Sequence, residues 1–224
     1  MAAMMSQAFE HRWRGELAVL EALFGKEKVK RDLPRVKEIH EYTESKWNEY
    51  ADQLRDRVVR YLLIGEAPPW SPEGIPQFLL DPKSRVRTLM QALRKVFPTY
   101  EVQSCGDCLK TFAAHGFLLV DSIPFAMDYS TKRSSGRYDD LVRLTATSYL
   151  QQKIKSSALA WAPDIRIAFF VKRNARSILK AVEQLSIGGR WCPLSSQMIA
   201  VNDAGYPDAD KLRDIYGLND DKGI

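Results

Sequence analysis

Two acidic residues stand where apolar runs stop. Tyr61-Leu62-Leu63-Ile64 ends at Gly65-Glu66-Ala67-Pro68-Pro69, and Phe117-Leu118-Leu119-Val120 ends at Asp121, with Pro124 three residues on. Two further apolar segments end the same way. Residues 165–171 run into Lys172 and Arg173, and residues 197–201 run into Asn202 and Asp203. The chemistry on offer is ligand binding at strand ends, by acids, a basic pair and an amide brought to one rim. Gly65 lets the backbone turn and approach a neighbour closely, and the two prolines prevent either strand or helix from continuing. Glu66 is therefore held at the carboxyl end of a buried strand, where open α/β sheets bind their ligands.

The runs themselves lack polar alternation, which reads as strands covered on both faces. Between them the periodicity is helical. Phe9, Trp13, Leu17, Leu20 and Phe24 give a helix over 8–24, stopped by Gly25. Lys26, Lys28, Lys30, Arg31, Arg35 and Lys37 follow as a basic cluster, either a solvated face or a phosphate-contacting patch. A charged helix over 34–54 leads into the first strand. A Pro- and Gly-rich segment, 71–82, has the length of a binding loop and carries Phe78. A helix over 84–97 turns Leu89, Met90, Leu93 and Phe97 inward and Arg94 and Lys95 outward. After the second strand comes a polar, basic loop with Lys132, Arg133 and Arg137, then a long helix over 138–161. A third strand over 165–171, a helix to about 185, a fourth strand over 197–202 and a helix over 208–216 capped by Asp208 complete the chain. Strands alternating with helices make an α/β fold with a parallel sheet and helices on both faces.

The chain has 224 residues, enough to bury a full core in one domain. Lys and Arg number 33 against 28 Asp and Glu, a mild excess of +5 that permits an anionic partner without demanding one. Three cysteines form no disulfide framework, the N-terminus lacks the pattern of a leader, and no apolar run reaches the ~20 residues of a membrane span. A soluble, cytoplasmic, monomeric protein is expected. Cys105-Gly106-Asp107-Cys108 supplies half a tetrahedral zinc site, but only Cys192 and His115 could complete it, so two small thiols are the reading and no metal is expected. Phosphate-loop, dinucleotide and nucleophile-elbow motifs are absent, which argues against nucleotide triphosphatases, nicotinamide dehydrogenases and α/β-hydrolases. His11, His40 and His115 all lie away from the strand ends.

Taken together, these motifs resemble the uracil-DNA glycosylase superfamily, nearest the branch whose first motif is Gly-Glu-Ala-Pro-Gly. That motif is matched by Gly65-Glu66-Ala67-Pro68-Pro69. A Gly-x-Pro-Phe segment is matched by Gly74-Ile75-Pro76-Gln77-Phe78. The base-reading Asn after the second strand corresponds to Asp121, and a final His-Pro-Ser to Tyr206-Pro207-Asp208. The likeness covers roughly 61–218. It implies a three-layer α/β/α sandwich on a central four-stranded parallel sheet, with residues 1–57 as a helical extension packed on a single domain. It implies a base flipped out of single- or double-stranded DNA and hydrolysis of its N-glycosidic bond. In that scheme Glu66 positions water, Phe78 stacks on the base, and Gly65, Ala67 and Pro68 line the pocket. Asp121 reads the base edge and Tyr206 stabilises the leaving base. Pro207 and Asp208 contact the nucleotide backbone, and Lys132, Arg133, Lys172 and Arg173 hold phosphates.

The sequence departs from the family at telling places. An ionised Asp121 only accepts hydrogen bonds, so it leaves O4 of uracil unpaired unless it is protonated. Tyr206 replaces a histidine, and Pro69 replaces a glycine and removes an N–H. With three cysteines in all, the chain has too few for that branch's four-cysteine iron–sulfur cluster, and no cofactor is expected. The same fold without cleavage, a nucleic-acid or nucleotide-binding protein, is the alternative.

Overall fold

The computed structural model describes residues 8–84, 87–97 and 104–218. Positions 1–7, read above as no leader, and positions 85 and 86 of the expected helix over 84–97 lie outside them.

β1 (Val58–Gly65) is the middle of the sheet. Leu62, Leu63 and Ile64 are fully buried, so both of its faces are covered and no residue of that run is free to be polar. β2 (Phe117–Asp121) pairs parallel on one side, from Tyr61 opposite Phe117 to Gly65 opposite Asp121. β3 (Ala160–Phe169) pairs parallel on the other, giving the order β2-β1-β3.

The helices divide between the two faces. α3 (Arg87–Val96) and α4 (Cys105–Ala114) join β1 to β2, and α8 (Ala209–Tyr216) packs against α3 and β3. Tyr61 of β1 meets Phe97, just past α3, and Tyr216 of α8, with ring centroids 5.3 and 4.9 Å apart. On the opposite face lie α5 (Gly136–Thr145), a π-helical turn (Ala146–Leu150) and α6 (Gln151–Ser156), which lead to β3. α5 packs between α1 (Arg14–Phe24) and α7 (Lys172–Ala181). The two crossovers thus lie on different faces. The crevice between the carboxyl ends of β1 and β3 is a topological switch point.

The sheet edge at β2 is closed by side chains of α2 (Lys26–Asp52). Trp47 Nε1 donates to the Leu119 carbonyl at 2.9 Å and Tyr50 Oη to the Phe117 carbonyl at 2.8 Å. His40 Nδ1 lies 3.1 Å from the Pro124 carbonyl. Edge carbonyls that would otherwise be open to another strand are satisfied internally. Trp13, Leu20, Tyr50 and Leu54 belong to the same hydrophobic core as the sheet, so the N-terminal helices are part of that core.

Three expectations are corrected. The four-stranded sheet has three strands. The segment expected as the fourth begins as a 3-10 turn (Ser196–Met198) and makes one parallel bridge, Ile199 to Phe169. It then folds back, Val201 bridging Pro207 antiparallel, because the Asn202 side chain closes a turn by accepting from the Tyr206 N–H at 3.0 Å. The helix expected over 138–161 ends at Ser156. β3 starts five residues before 165, interrupted by an irregularity between the Val59–Trp161 and Tyr61–Arg166 pairs. Pro163, with no N–H to donate, lies within it. The helix expected to reach about 185 stops at Ala181, and a hairpin follows, β4 (Gln184–Ile187) and β5 (Arg190–Pro193). Its Gly188-Gly189 turn has both φ positive, at 56° and 78°, which is the sequence signal for a tight hairpin.

Among the described residues, no helix is long and apolar enough to cross a membrane, and no group of three or more His, Cys, Asp or Glu is arranged to hold a metal ion.

Candidate functional site at the strand ends

Side chains alternate along a strand. Tyr61 and Gly65 therefore share the face covered by α3 and α8, and Glu66, the next residue, leaves toward α5. There it is firmly held. Arg133 Nε donates to Glu66 Oε1 at 2.7 Å, and Arg133 Nη2 donates to Oε2 in a bidentate pair. Tyr138 Oη, from the first turn of α5, adds a second bond to Oε1 at 2.6 Å. The carboxylate raises the Arg133 pKa chiefly through this hydrogen bonding. Burial first and the Glu66 charge second hold Tyr138 far above the usual phenol range. Glu66 is 8% exposed. The carboxylate thus accepts two hydrogen bonds from a guanidinium and one from a phenol.

The backbone beside it is equally fixed. Ser122 N donates to the Gly65 carbonyl at 3.0 Å, and Ile123 N to the Glu66 carbonyl at 2.8 Å. Ser122 Oγ donates to that same Glu66 carbonyl at 3.1 Å and accepts a bond from Asn174 Nδ2. Asn174 lies in the first turn of α7, so one short chain of hydrogen bonds joins the carboxyl ends of all three strands. Asn174 Oδ1 is buried and has no hydrogen-bond partner among the described residues.

Asp121 differs from Glu66. The residue is 8% exposed, and its carboxyl has no hydrogen-bond partner among the described residues. Burial pushes its pKa up to about 7. The Lys153 charge opposes that rise, and those of Glu66 and Glu44 add to it. Its side chain lies over Gly65 beside Phe170, in space that any side chain at Gly65 would occupy. A carboxyl titrating near neutrality presents one donor and one acceptor when protonated, the same pair that an amide offers.

The remaining expected residues separate into groups. Gly65, Glu66, Asp121 and Arg133 come together, with Ala67 half-buried and Pro68 buried just beyond. Arg133 reaches the site as the partner of Glu66. Lys132 lies over the Phe24 ring at 5.7 Å. Lys172 is exposed, and Arg173 donates to Asp139 at 2.6 Å in an ion pair between α7 and α5. Phe78 is buried in the core at 5% exposure. Tyr206 is 60% exposed. Asp208 caps α8, its Oδ1 accepting from the N–H groups of Asp210 and Lys211 at 3.0 and 3.2 Å. Of the basic cluster on α2, Arg35 pins the 71–82 loop, donating from Nε to the Ser71 carbonyl at 2.8 Å and from Nη2 to the Gly74 carbonyl. Tyr138, Ser122 and Asn174 escaped sequence reasoning. Tyr138 is 72 residues from Glu66 and no local pattern links them.

A second buried polar cluster stands behind Asp121. Lys153 of α6 pairs with Glu44 of α2, and Tyr149 of the π turn donates to Glu44 at 2.6 Å. Burial lowers the Lys153 pKa, and Glu44 opposes that. Burial likewise lowers that of His40. Comparison of the chain with family models, curated proteins and solved structures gave no match.

Proposed function

We propose that the strand-end rim recognises a nucleobase swung out of DNA and cleaves its N-glycosidic bond, in a three-layer α/β/α sandwich on the plan of the uracil-DNA glycosylases. The observation that carries this reading is Asp121, a residue 8% exposed at the carboxyl end of β2, whose carboxyl accepts no hydrogen bond from the described residues. Such a carboxyl is open to a ligand that supplies its hydrogen bonds. In its neutral form Asp121 donates to a ring carbonyl and accepts from the adjacent ring N–H. That is the edge shared by uracil and hypoxanthine.

Glu66 supplies a fixed negative charge for the positive charge that develops on the sugar as the bond to the base breaks, and orients the attacking water. It can meet a water only where Arg133 leaves it room. The Arg133 side chain is 40% exposed, so a DNA phosphate can draw it away.

The second reading, binding without cleavage, is favoured by that same ion pair, since Glu66 already accepts three hydrogen bonds. A base-release assay separates the two. Single- and double-stranded oligonucleotides carrying uracil, hypoxanthine or xanthine are incubated with wild type and Glu66→Gln, and abasic sites are cleaved by alkali. Release lost in Glu66→Gln supports hydrolysis. Salt-dependent binding with no release supports the second reading, and absence of both overturns the two together.

A further inference from the structure

Among the described residues, the basic residues of α2 and α3 differ in how their charge is used. On α2, Lys28 and Arg31 pair with Asp32, Arg35 with Glu38, and Lys37 with Glu41. α3 contains no acidic residue, and Arg94 and Lys95 have no ion-pair partner among the described residues. These two cations line a groove of about 570 Å3 between α3 and the start of α8, together with Thr88, Gln91, Pro207 and Ala209.

The groove has the chemistry of an anion track. Thr88, Gln91 and Lys95 follow one another at spacings of three and four, which places them in one stripe of α3. Every polar side chain that α3 contributes to the lining can donate a hydrogen bond. The opposite wall is Pro207 and Ala209, and Asp208 between them uses Oδ1 on the first N–H groups of α8. Immediately before Pro207 stands Tyr206, held outward by a closed turn. Tyr206 N donates to Asn202 Oδ1 at 3.0 Å, Asn202 N to the Tyr206 carbonyl at 2.9 Å, and Gly205 takes φ +82°.

This wall is anchored to the sheet at the rim. Ala200 N donates to the Phe169 carbonyl at 2.7 Å, and Asp208 N to the Ala200 carbonyl at 3.0 Å, which ties 200–208 to the carboxyl end of β3. The groove therefore lies on the α3 and α8 face, the face toward which Asp121 leaves β2.

We infer that this groove takes the backbone of the nucleic-acid strand adjoining the recognised base, with phosphates on Arg94 and Lys95 and a neighbouring base stacked on Tyr206. The inference rests on the base-recognition reading and assigns Tyr206 a stacking role outside the pocket. Cations in a groove whose far wall, at Pro207, directly follows an exposed aromatic in the chain have the composition of a single-strand track.

The test is binding of a fluorescent single-stranded oligonucleotide of ordinary bases to the full chain over a range of salt. Arg94→Ala/Lys95→Ala, whose fold is checked by circular dichroism, flattens the slope of log affinity against log salt by about 1.4, at ~0.7 per cation. Tyr206→Ala lowers affinity roughly five- to hundred-fold at every salt concentration and leaves the slope unchanged. A wild type that binds with a steep slope that the double variant retains overturns the groove and leaves the base-recognition reading standing. A wild type that binds no oligonucleotide at any salt overturns the groove, and the base-release assay then decides the base-recognition reading.

Discussion

Asp121 lies over Gly65. The two residues are paired across β1 and β2, and the carboxylate oxygen of one fills the place where a side chain of the other would begin. The glycine of the first motif and the acid at the end of the second strand are thus one structural unit, although 56 positions separate them in the chain. Gly65 is required because Asp121 and the Phe170 ring leave no room for a methyl group.

That contact predicts a non-additive pair. Gly65→Ala forces Asp121 and Phe170 apart and should cost about 1–3 kcal/mol, the usual range for an overpacked core. In an Asp121→Gly background the methyl group meets only the edge of the Phe170 ring, and the cost should fall. A double-mutant cycle by urea unfolding measures the coupling. Additive effects would show that the two residues do not compete for space.

The Asp121 carboxyl makes stability depend on pH with a defined sign. Its folded pKa is about 7 against an ordinary value of ~3.9. Its stabilising contribution is therefore fully present below about pH 4 and is lost as pH rises through 7. Asp121→Asn removes this dependence. The variant should match wild type near pH 4 and exceed it at pH 8 by as much as ~4 kcal/mol. Thermal unfolding at the two pH values checks the direction.

Binding of a uracil-like edge should follow the same proton. Wild type should lose affinity for a uracil-containing oligonucleotide, relative to one of ordinary bases, between pH 6 and pH 8, and Asp121→Asn should not. Equal pH profiles for the two proteins would remove Asp121 as the reader.

Glu66 should be the most sensitive side chain at the rim. Arg133→Ala leaves a buried carboxylate with a single donor, Tyr138, and should cost about 1–3 kcal/mol at neutral pH. Tyr138→Phe removes one neutral donor and should cost about 1 kcal/mol. Glu66→Gln paired with Arg133→Ala should cost less than the sum of the singles. Chemical denaturation at pH 7 reads all four proteins.

The covered edge of the sheet offers a test away from the rim. Trp47→Phe leaves the Leu119 carbonyl without its donor and should cost about 1–3 kcal/mol, with increased exchange of amides along β2. Unchanged protection would show that water replaces the indole without loss.

Much of the molecule was legible before folding was considered. The unbroken apolar runs of β1 and β2 declared strands buried on both faces, and Gly65-Glu66-Ala67-Pro68-Pro69 declared where β1 must stop. The aromatic and aliphatic periodicity of α1 and the cap at Asp208 were local properties, and local properties are readable. The fourth strand misled because residues 197–201 have strand composition. Whether such a segment runs on beside β3 depends on the turn that follows, where the Asn202 side chain and Gly205 fold it back onto Pro207. The hairpin was missed although Gly188-Gly189 announced it.

By itself, then, the sequence determined an α/β chain with acids at the ends of two buried strands, since burial of a run and termination by Gly and Pro are effects of near neighbours. Only the tertiary structure decided what those acids became. Strand alternation and register sent Glu66 to Arg133 and Tyr138 on one face, and left Asp121 over Gly65 on the other, with no hydrogen-bond partner among the described residues. The difference between a neutralised carboxylate and a needy one rests on residues 67 to 72 positions from Glu66 and 56 from Asp121. Electrostatics and desolvation act through space, and only the packed fold sets those distances.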